Sequence, residues 1–219
     1  MRHAKYITLL CIIMMLSASC RKKGPTASER IKSALRAGWE NFEAERFTAA
    51  ENDFWDAFAM DSSRAESQVG LGWARFMIPG TALTTVLSAI DSNATDNADW
   101  QTDAWCLLAS VNLSRMEYGT ADSLAALTLS SDTSYVFLHR PEIDWQDLLV
   151  VRGQALFFMA EYDSSWTVMM PLTDGTSHSS IDPDDETTWS ITIENNTITY
   201  TIFAEVLARV ISDLAEQYR

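Results

Sequence analysis

Apolar side chains recur along this chain with the spacing of α-helices, and the helical pattern itself repeats. The segment RAGWENF (residues 36–42) matches the segment GLGWARF (residues 70–76), so that Trp39 and Trp73 lie 34 residues apart. Each segment is followed by a turn signal and a second apolar stripe. This pattern predicts pairs of antiparallel helices that stack as a solenoid.

The pattern divides residues 31–176 into four helix-turn-helix units. A small residue on the first helix of a unit lets the second helix approach closely, and Gly38, Gly72 and Gly153 occupy that place. The turn Glu117-Tyr118 of the third unit recurs as Glu161-Tyr162 in the fourth. The buried stripes expected on the second helices are Ala50, Phe54 and Ala57 in the first unit and Ala82, Val86 and Ala89 in the second.

Two parts of the array depart from this frame. Residues 135–145 fit no unit, so they are predicted to be an insertion before the fourth. Pro171 is expected to end the last helix of that unit early, because proline cannot donate a helical hydrogen bond. Residues 91–99 are polar and acidic, which indicates a solvated connector; they lack the glycine and the final glutamate of a calcium-binding loop.

These motifs resemble the tetratricopeptide repeat, a family whose period is 34 residues. The resemblance implies an all-α, TPR-like α-solenoid of about four units, and a scaffold rather than an enzyme. In that family, ligands contact the first helix of each unit. Carried over residue by residue, this predicts a partner-binding groove lined by Trp39, Phe42, Glu66, Trp73, Phe76, Asp103, Asp147, Gln154 and Phe157.

The predicted groove has an aromatic first half, a more polar second half and an acidic rim. Family members that clamp a terminal carboxylate need cations at these places, but only Lys32 and Arg36 qualify here, so such clamping is not expected. An alternative stays open for Trp39 and Trp73. An aromatic stripe at helical spacing is often core, and a segment of the same chain would then cover both rings.

Beyond the repeats, the period of the pattern changes twice. Residues 189–193 and 198–200 alternate polar and apolar side chains about Asn195-Asn196, which predicts a β-hairpin. A helix is then expected to cap the last repeat, with one apolar face formed by Phe203, Val206, Leu207, Val210, Leu214 and Tyr218. The predicted domains are residues 31–179 for the repeats and 180–219 for the hairpin and capping helix.

The N-terminus has the three-part layout of a signal peptide over residues 1–19. Small residues leading into Cys20 resemble a bacterial lipoprotein cleavage site, which implies that Cys20 becomes the lipidated, palmitate-bearing N-terminus. Residues 20–30 would then be a linker, with Ser28 as the cap of the first helix. The expected location is the bacterial cell envelope, on the outer membrane facing the periplasm; the alternative is export without a lipid.

Charge is unevenly distributed along a chain whose formal net charge is −14. All four lysines precede residue 33, and nine arginines face 29 acidic residues after it. An acidic body repels phosphate backbones, so nucleic acid is not an expected partner. Cys106 is the only cysteine beyond Cys20 and lies in an apolar helical stretch, where a buried hydrophobic role is expected.

The sequence carries little sign of catalysis. His139 and His178 lie in predicted loops, and no nucleophile elbow, phosphate loop or pair of metal-ligand histidines is present. No cofactor or metal is therefore expected, and the chain is predicted not to be an enzyme. The function expected first is an adaptor that binds a peptide or protein of a cell-envelope complex; the alternative is a solute-binding lipoprotein of a transport system.

Overall fold

Helices form most of this structure, a computed structural model that describes residues 24–174, 176, 178–193 and 196–217. The predicted signal peptide, Cys20 and Tyr218 lie outside the described residues. The helices are α1 (Ala27–Glu43), α2 (Phe47–Met60), α3 (Ala65–Met77), α4 (Leu83–Leu87), α5 (Ser92–Thr95), α6 (Gln101–Ser114), α7 (Tyr118–Ser131), α8 (Trp145–Phe158), α9 (Tyr162–Thr173) and α10 (Phe203–Gln217). A 3-10 turn (Glu186–Thr188) and the strands β1 (Ser190–Ile193) and β2 (Asn196–Thr199) separate α9 from α10. The all-α helical-repeat fold with a C-terminal hairpin and helix is confirmed.

The turns inside the first, third and fourth units have the same backbone. Glu45, Met116 and Ala160 each take up a left-handed conformation, with φ of 59°, 63° and 63°. In each turn the next N–H donates to a carbonyl five residues back. The pairs are Arg46 to Asn41, Glu117 to Asn112 and Glu161 to Leu156, each at 2.9 Å. Three copies of one turn show that these units are structural repeats.

Glycines bring the helices of the first two units close together around one ring. A Cβ added at Gly38 would lie 2.6 Å from the Phe54 ring, and one added at Gly70 would lie 2.4 Å from it. Both α1 and α3 therefore need glycine where the Phe54 ring of α2 packs between them. Gly153 has the same relation to Met169 of α9. Gly72, the expected counterpart of Gly38, contacts Leu107 and Ile90 instead.

The second unit is shorter than its neighbours. Its second helix, α4, has only five residues; Val86 and Ala89 are buried as predicted, but Ala82 is exposed and precedes the helix. Pro79 and Gly80, which has a φ of 82°, carry the chain away from α3 and leave little length for α4. The connector that follows contains α5, whose first turn is capped by the Asp91 side chain.

Two predicted helix ends were wrong. The cap of α1 is Thr26 rather than Ser28, because Thr26 and Glu29 form a reciprocal capping box in which each side chain accepts from the other's backbone N–H. α9 continues through Pro171 to Thr173. Proline fits there because its φ is helical and only one hydrogen bond of the last turn is lost.

The hairpin and α10 form a second hydrophobic core against the end of the array. The predicted hairpin is present, with Ser190 paired to Thr199 and Ile193 to Asn196 in an antiparallel register; Asn196, expected in the turn, begins β2. α10 packs on α8 and α9, which confirms its capping position. The side chains of this core are Val150, Trp166, Met169, Leu172, Ile181, Trp189, Ile191, Val206, Leu207, Val210, Ile211 and Leu214.

Candidate functional site

The first helices of successive units line one face of the array. α1 contacts α3, α3 contacts α6, and α6 contacts α8, so side chains on this face come together from all four units. This is the face on which the sequence predicted a groove. In the structure, the insertion covers one half of this face and a cleft remains at the other half.

The insertion (residues 135–145) covers the aromatic half of this face. It folds into a narrow turn in which Phe137 N–H donates to the Ile143 carbonyl at 2.9 Å and Trp145 N–H to the Tyr135 carbonyl at 2.8 Å. Phe137 is fully buried, and its ring stacks on Trp73 with the centroids 4.8 Å apart. The insertion is therefore part of the hydrophobic core of the first three units, which we call the first hydrophobic core.

His139 completes the cover over Trp39. The two rings stack with their centroids 3.7 Å apart and their planes 3° apart, and the imidazole Nδ1 lies 2.8 Å from the Glu43 carboxylate. On the other side of the insertion, the Tyr135 hydroxyl donates to Asp103 at 2.8 Å. Polar contacts thus hold both flanks of the insertion to the first helices.

The expected open aromatic surface was wrong for three residues. Trp39, Phe42 and Trp73 are only 6%, 0% and 1% exposed, because the insertion lies over them. The alternative, that a segment of the same chain covers the tryptophans, describes the structure.

Two of the predicted rim acids are engaged within the chain. Glu66 accepts a hydrogen bond from Trp39 Nε1 at 3.3 Å and pairs with Arg64 at 3.4 Å. Asp103 holds Tyr135, and its backbone carbonyl accepts from Trp73 Nε1 at 3.3 Å. Burial raises the pKa of Asp103 to about 6, although the Tyr135 hydrogen bond opposes this shift. These acids position the insertion and its aromatic partners.

Phe157 does not join the groove. Its ring lies 5.6 Å from Phe158 and 5.4 Å from Tyr162, at the turn of the fourth unit, and it packs against the second core. The position chosen by the repeat register is therefore wrong for this residue, because α10 and the hairpin draw its side of α8 into their own core.

A cleft of about 470 Å³ remains beside the insertion, and we call it the C-terminal cleft. It brings together four of the predicted residues, Trp73, Phe76, Asp147 and Gln154, from α3 and α8. α6 contributes Ser110, Leu113 and Ser114; the remaining lining residues are Met77, Arg140, Glu142, Ile143, Val150, Val151 and Ala215. One face of three successive units thus forms a continuous wall.

Arg140, Glu142, Ile143 and Ala215 were missed by the sequence prediction. They come from the insertion and from α10, which lie outside the repeat frame, so no repeat position pointed to them. The apolar residues 135–138, which precede Arg140, are the sequence signal that could have shown that this segment packs on a hydrophobic surface.

A second cleft of about 380 Å³, the N-terminal cleft, lies on the other side of the insertion. Lys32, Arg36 and Arg64 line it together with Glu40, Glu43 and Glu66, so charges of both signs alternate around Trp39 and His139. Arg36 pairs with Glu40 at 3.7 Å. This cleft therefore offers mostly charges that are already balanced within the chain.

Two buried titratable groups outside the clefts are used in packing. Cys106 is buried as predicted, and burial raises the pKa of its thiol. His178 is also buried, with Nε2 3.3 Å from Asp213; its burial lowers its pKa. Within the part of the chain that the structure describes, no group of three or more His, Cys, Asp or Glu could hold a metal ion.

No protein-family model matches this chain, and no curated protein does. Among the described residues, no helix has the length and apolar character needed to cross a membrane.

Proposed function

We propose that this protein is an adaptor that binds a peptide or protein segment of a cell-envelope complex in the C-terminal cleft. The observation that carries the proposal is the cleft wall itself, to which α3, α6 and α8 contribute the same helical face. Phe76, Leu113 and Val151 are partly exposed there and provide apolar area for a partner.

The tetratricopeptide resemblance supports this assignment, and membership of that family is part of the proposal. The repeated left-handed turns and the glycine contacts to Phe54 are the features that a stack of such units needs. Scaffolds of this kind use the face formed by the first helices for binding.

The absence of catalysis is also part of the proposal. Its support is that both described histidines have structural contacts: His139 stacks on Trp39, and His178 pairs with Asp213 inside the second core. Neither of them lines the C-terminal cleft.

Solute binding is the second candidate, favoured by the size of the cleft. A volume of about 470 Å³ lies in the range of small-molecule sites, roughly 300–1,000 Å³. A pocket enclosed by both Trp73 and Trp105 would favour solute binding, but only Trp73 lines this cleft. The position of the cleft along several units favours a chain segment over a compact solute.

Capture from detergent-solubilised envelope tests the adaptor. The Phe76→Ala/Gln154→Ala double variant removes contacts of two partly buried cleft residues, and so disturbs the core less than substitution of the buried Trp39 and Trp73. We expect it to recover about tenfold less partner than the wild type, equivalent to roughly 1.4 kcal/mol. Phe158→Ala, an exposed aromatic outside this cleft, is the matched control and should recover partner normally. Equal capture by wild type and double variant would contradict the cleft as the binding site.

A lipid anchor at Cys20 is proposed from the resemblance of the N-terminus to bacterial lipoproteins. Acyl chains contribute about 0.8 kcal/mol per buried CH₂, so a lipidated cysteine would keep the protein with the membrane fraction. Cys20→Ala should move it to the soluble fraction on cell fractionation, while Cys106→Ala should leave its distribution unchanged. Continued sedimentation of Cys20→Ala with membranes would argue against the anchor.

A further inference from the structure

Some polar groups that line the C-terminal cleft already have hydrogen-bond or ion-pair partners within the chain, whereas others do not. This difference indicates which chemical groups a partner segment would need in order to bind there, as the proposed function requires. Gln154 lines the cleft, is partly buried, and makes no hydrogen bond through its side chain to any described residue. A primary amide both donates and accepts, so it can pair with the N–H and the C=O of an extended main chain. The cleft therefore offers a fitting group for a peptide backbone.

The charges on the cleft wall are predominantly negative. Glu142 and Asp147 line it, and Arg140 is the one cation among its lining residues. Arg140 is already paired with Glu142 through Nε and with Glu45 through Nη2 at 3.4 Å. Its Nη1 is buried and has no hydrogen-bond partner within the described ranges.

Asp147 is poorly compensated in its present surroundings. Burial, together with the nearby carboxylates of Asp144 and Glu142, raises its pKa to about 6, even though it accepts a hydrogen bond from the Asp144 backbone N–H at 2.9 Å. No salt bridge to Asp147 is present in the described part of the chain. A bound cation would relieve the repulsion among these acids.

Apart from Ser110 and Ser114, apolar side chains form the rest of the wall. Trp73 and Phe76 come from the second unit and Leu113 from the third. Val151 comes from the fourth unit, as do Asp147 and Gln154. An apolar side chain of the partner can therefore enter the cleft while the adjacent main chain passes Gln154.

From this arrangement, which rests on the proposed function, the geometry points to a partner segment with one apolar side chain flanked by lysine or arginine. The apolar group enters between Phe76 and Leu113, and the main chain pairs with Gln154. The cation lies against Asp147 and shares the Glu142 carboxylate with Arg140. The net charge of −14 favours the approach of basic segments and repels acidic ones. Anionic peptides are excluded by the same carboxylates.

Fluorescence anisotropy of the full-length protein with three labelled octapeptide pools tests this assignment. Each pool has a central leucine or phenylalanine, flanked by lysines, serines or glutamates. We expect the lysine pool to bind about tenfold more tightly than the serine pool, and the glutamate pool to bind more weakly still. Raising the salt concentration should weaken the lysine pool most.

Charge variants place the effect in the cleft. Glu142→Gln/Asp147→Asn should reduce the affinity of the lysine pool about tenfold and that of the serine pool by less than about threefold. Asp56→Asn/Asp163→Asn removes the same charge from exposed helix positions and should change neither affinity by more than about twofold. Because Asp147 is also a capping residue, Glu142→Gln alone is measured as well; Glu142 lies outside the helices.

The outcomes separate this inference from the function on which it rests. Equal or tighter binding of the serine or glutamate pool, abolished by Phe76→Ala, would overturn the basic partner and leave the cleft as a binding site. Binding of the lysine pool that ignores both Phe76→Ala and Glu142→Gln would overturn the cleft as its location. No binding of any pool would overturn both.

Discussion

At the scale of single residues, Asp103 shows how a predicted binding position became an internal contact. Its carboxylate accepts a hydrogen bond from Tyr135 at 2.8 Å, and its backbone carbonyl accepts one from Trp73. Burial raises the pKa of Asp103 to about 6, above its ordinary value of 3.8. Burial beneath the insertion disfavours the ionised form of Asp103, and the hydrogen bond from Tyr135 offsets only part of this effect.

The pKa of Asp103 predicts a specific dependence of stability on pH. Because the folded pKa is raised, the folded state binds the proton more tightly, and stability is lost as pH rises from about 4 through about 6. Asp103→Asn keeps an oxygen that can accept from Tyr135 and does not titrate. The free energy of unfolding of the wild type, minus that of Asp103→Asn, should fall by roughly 1–3 kcal/mol between pH 4 and pH 7.5.

Urea unfolding at several pH values measures this difference. Asp147, whose pKa is also raised to about 6, titrates in both proteins and cancels in the subtraction. A difference that stays constant across this pH range, or rises with pH, would contradict the assignment of the raised pKa to Asp103.

At the scale of elements, the repeat could be predicted because its physical requirements leave traces in the sequence. Phe54 needs bare backbone on both sides, and glycines therefore appear at 38 and 70, one on each neighbouring helix. The turns recur because a left-handed residue and a following hydrogen bond end the first helix in the same way. Local rules of this kind can be recognised without knowing the rest of the fold.

The insertion could be recognised as an interruption, but its destination could not be predicted. Residues 135–145 have no repeat period, and nothing local states that Phe137 will stack on Trp73, more than 60 residues earlier. The segment packs on the apolar area that the first helices leave exposed. The place where it packs determines which half of the predicted groove is covered and which half remains as a cleft.

The same limit explains why Phe157 lies outside the groove and why some cleft-lining residues were missed. The repeat register assigns Phe157 to the groove, yet the hairpin and α10 give it an apolar environment elsewhere. Conversely, Arg140 and Ala215 line the cleft from outside the repeats. Where a non-repeat segment packs on the array, the repeat register alone therefore could not say which of the predicted groove positions would stay accessible.

At the scale of the whole molecule, two hydrophobic cores meet at α8. Leu148 belongs to the core of the first units and the insertion, whereas Val150 belongs to the core formed with α9, the hairpin and α10. The C-terminal cleft is bounded by elements of both cores, with Phe76 on one side and Ala215 on the other. Its shape thus depends on α10 remaining docked.

Undocking α10 should loosen the second core while the first stays folded, because each unit of a repeat array is stabilised mainly by its neighbours. Leu207 is fully buried in the second core, whereas Ala208 is exposed on the same helix. Leu207→Asp removes apolar packing and buries a charge, at a cost of at least about 3 kcal/mol. Ala208→Asp adds the same charge to solvent.

Hydrogen exchange measured by mass spectrometry should show amides of α9 and α10 exchanging at least about tenfold faster in Leu207→Asp, with α1 and α2 unchanged in both variants. If protection in α1 and α2 fell equally in Leu207→Asp, the two cores would unfold as one unit and the cleft could not be remodelled from its C-terminal side alone.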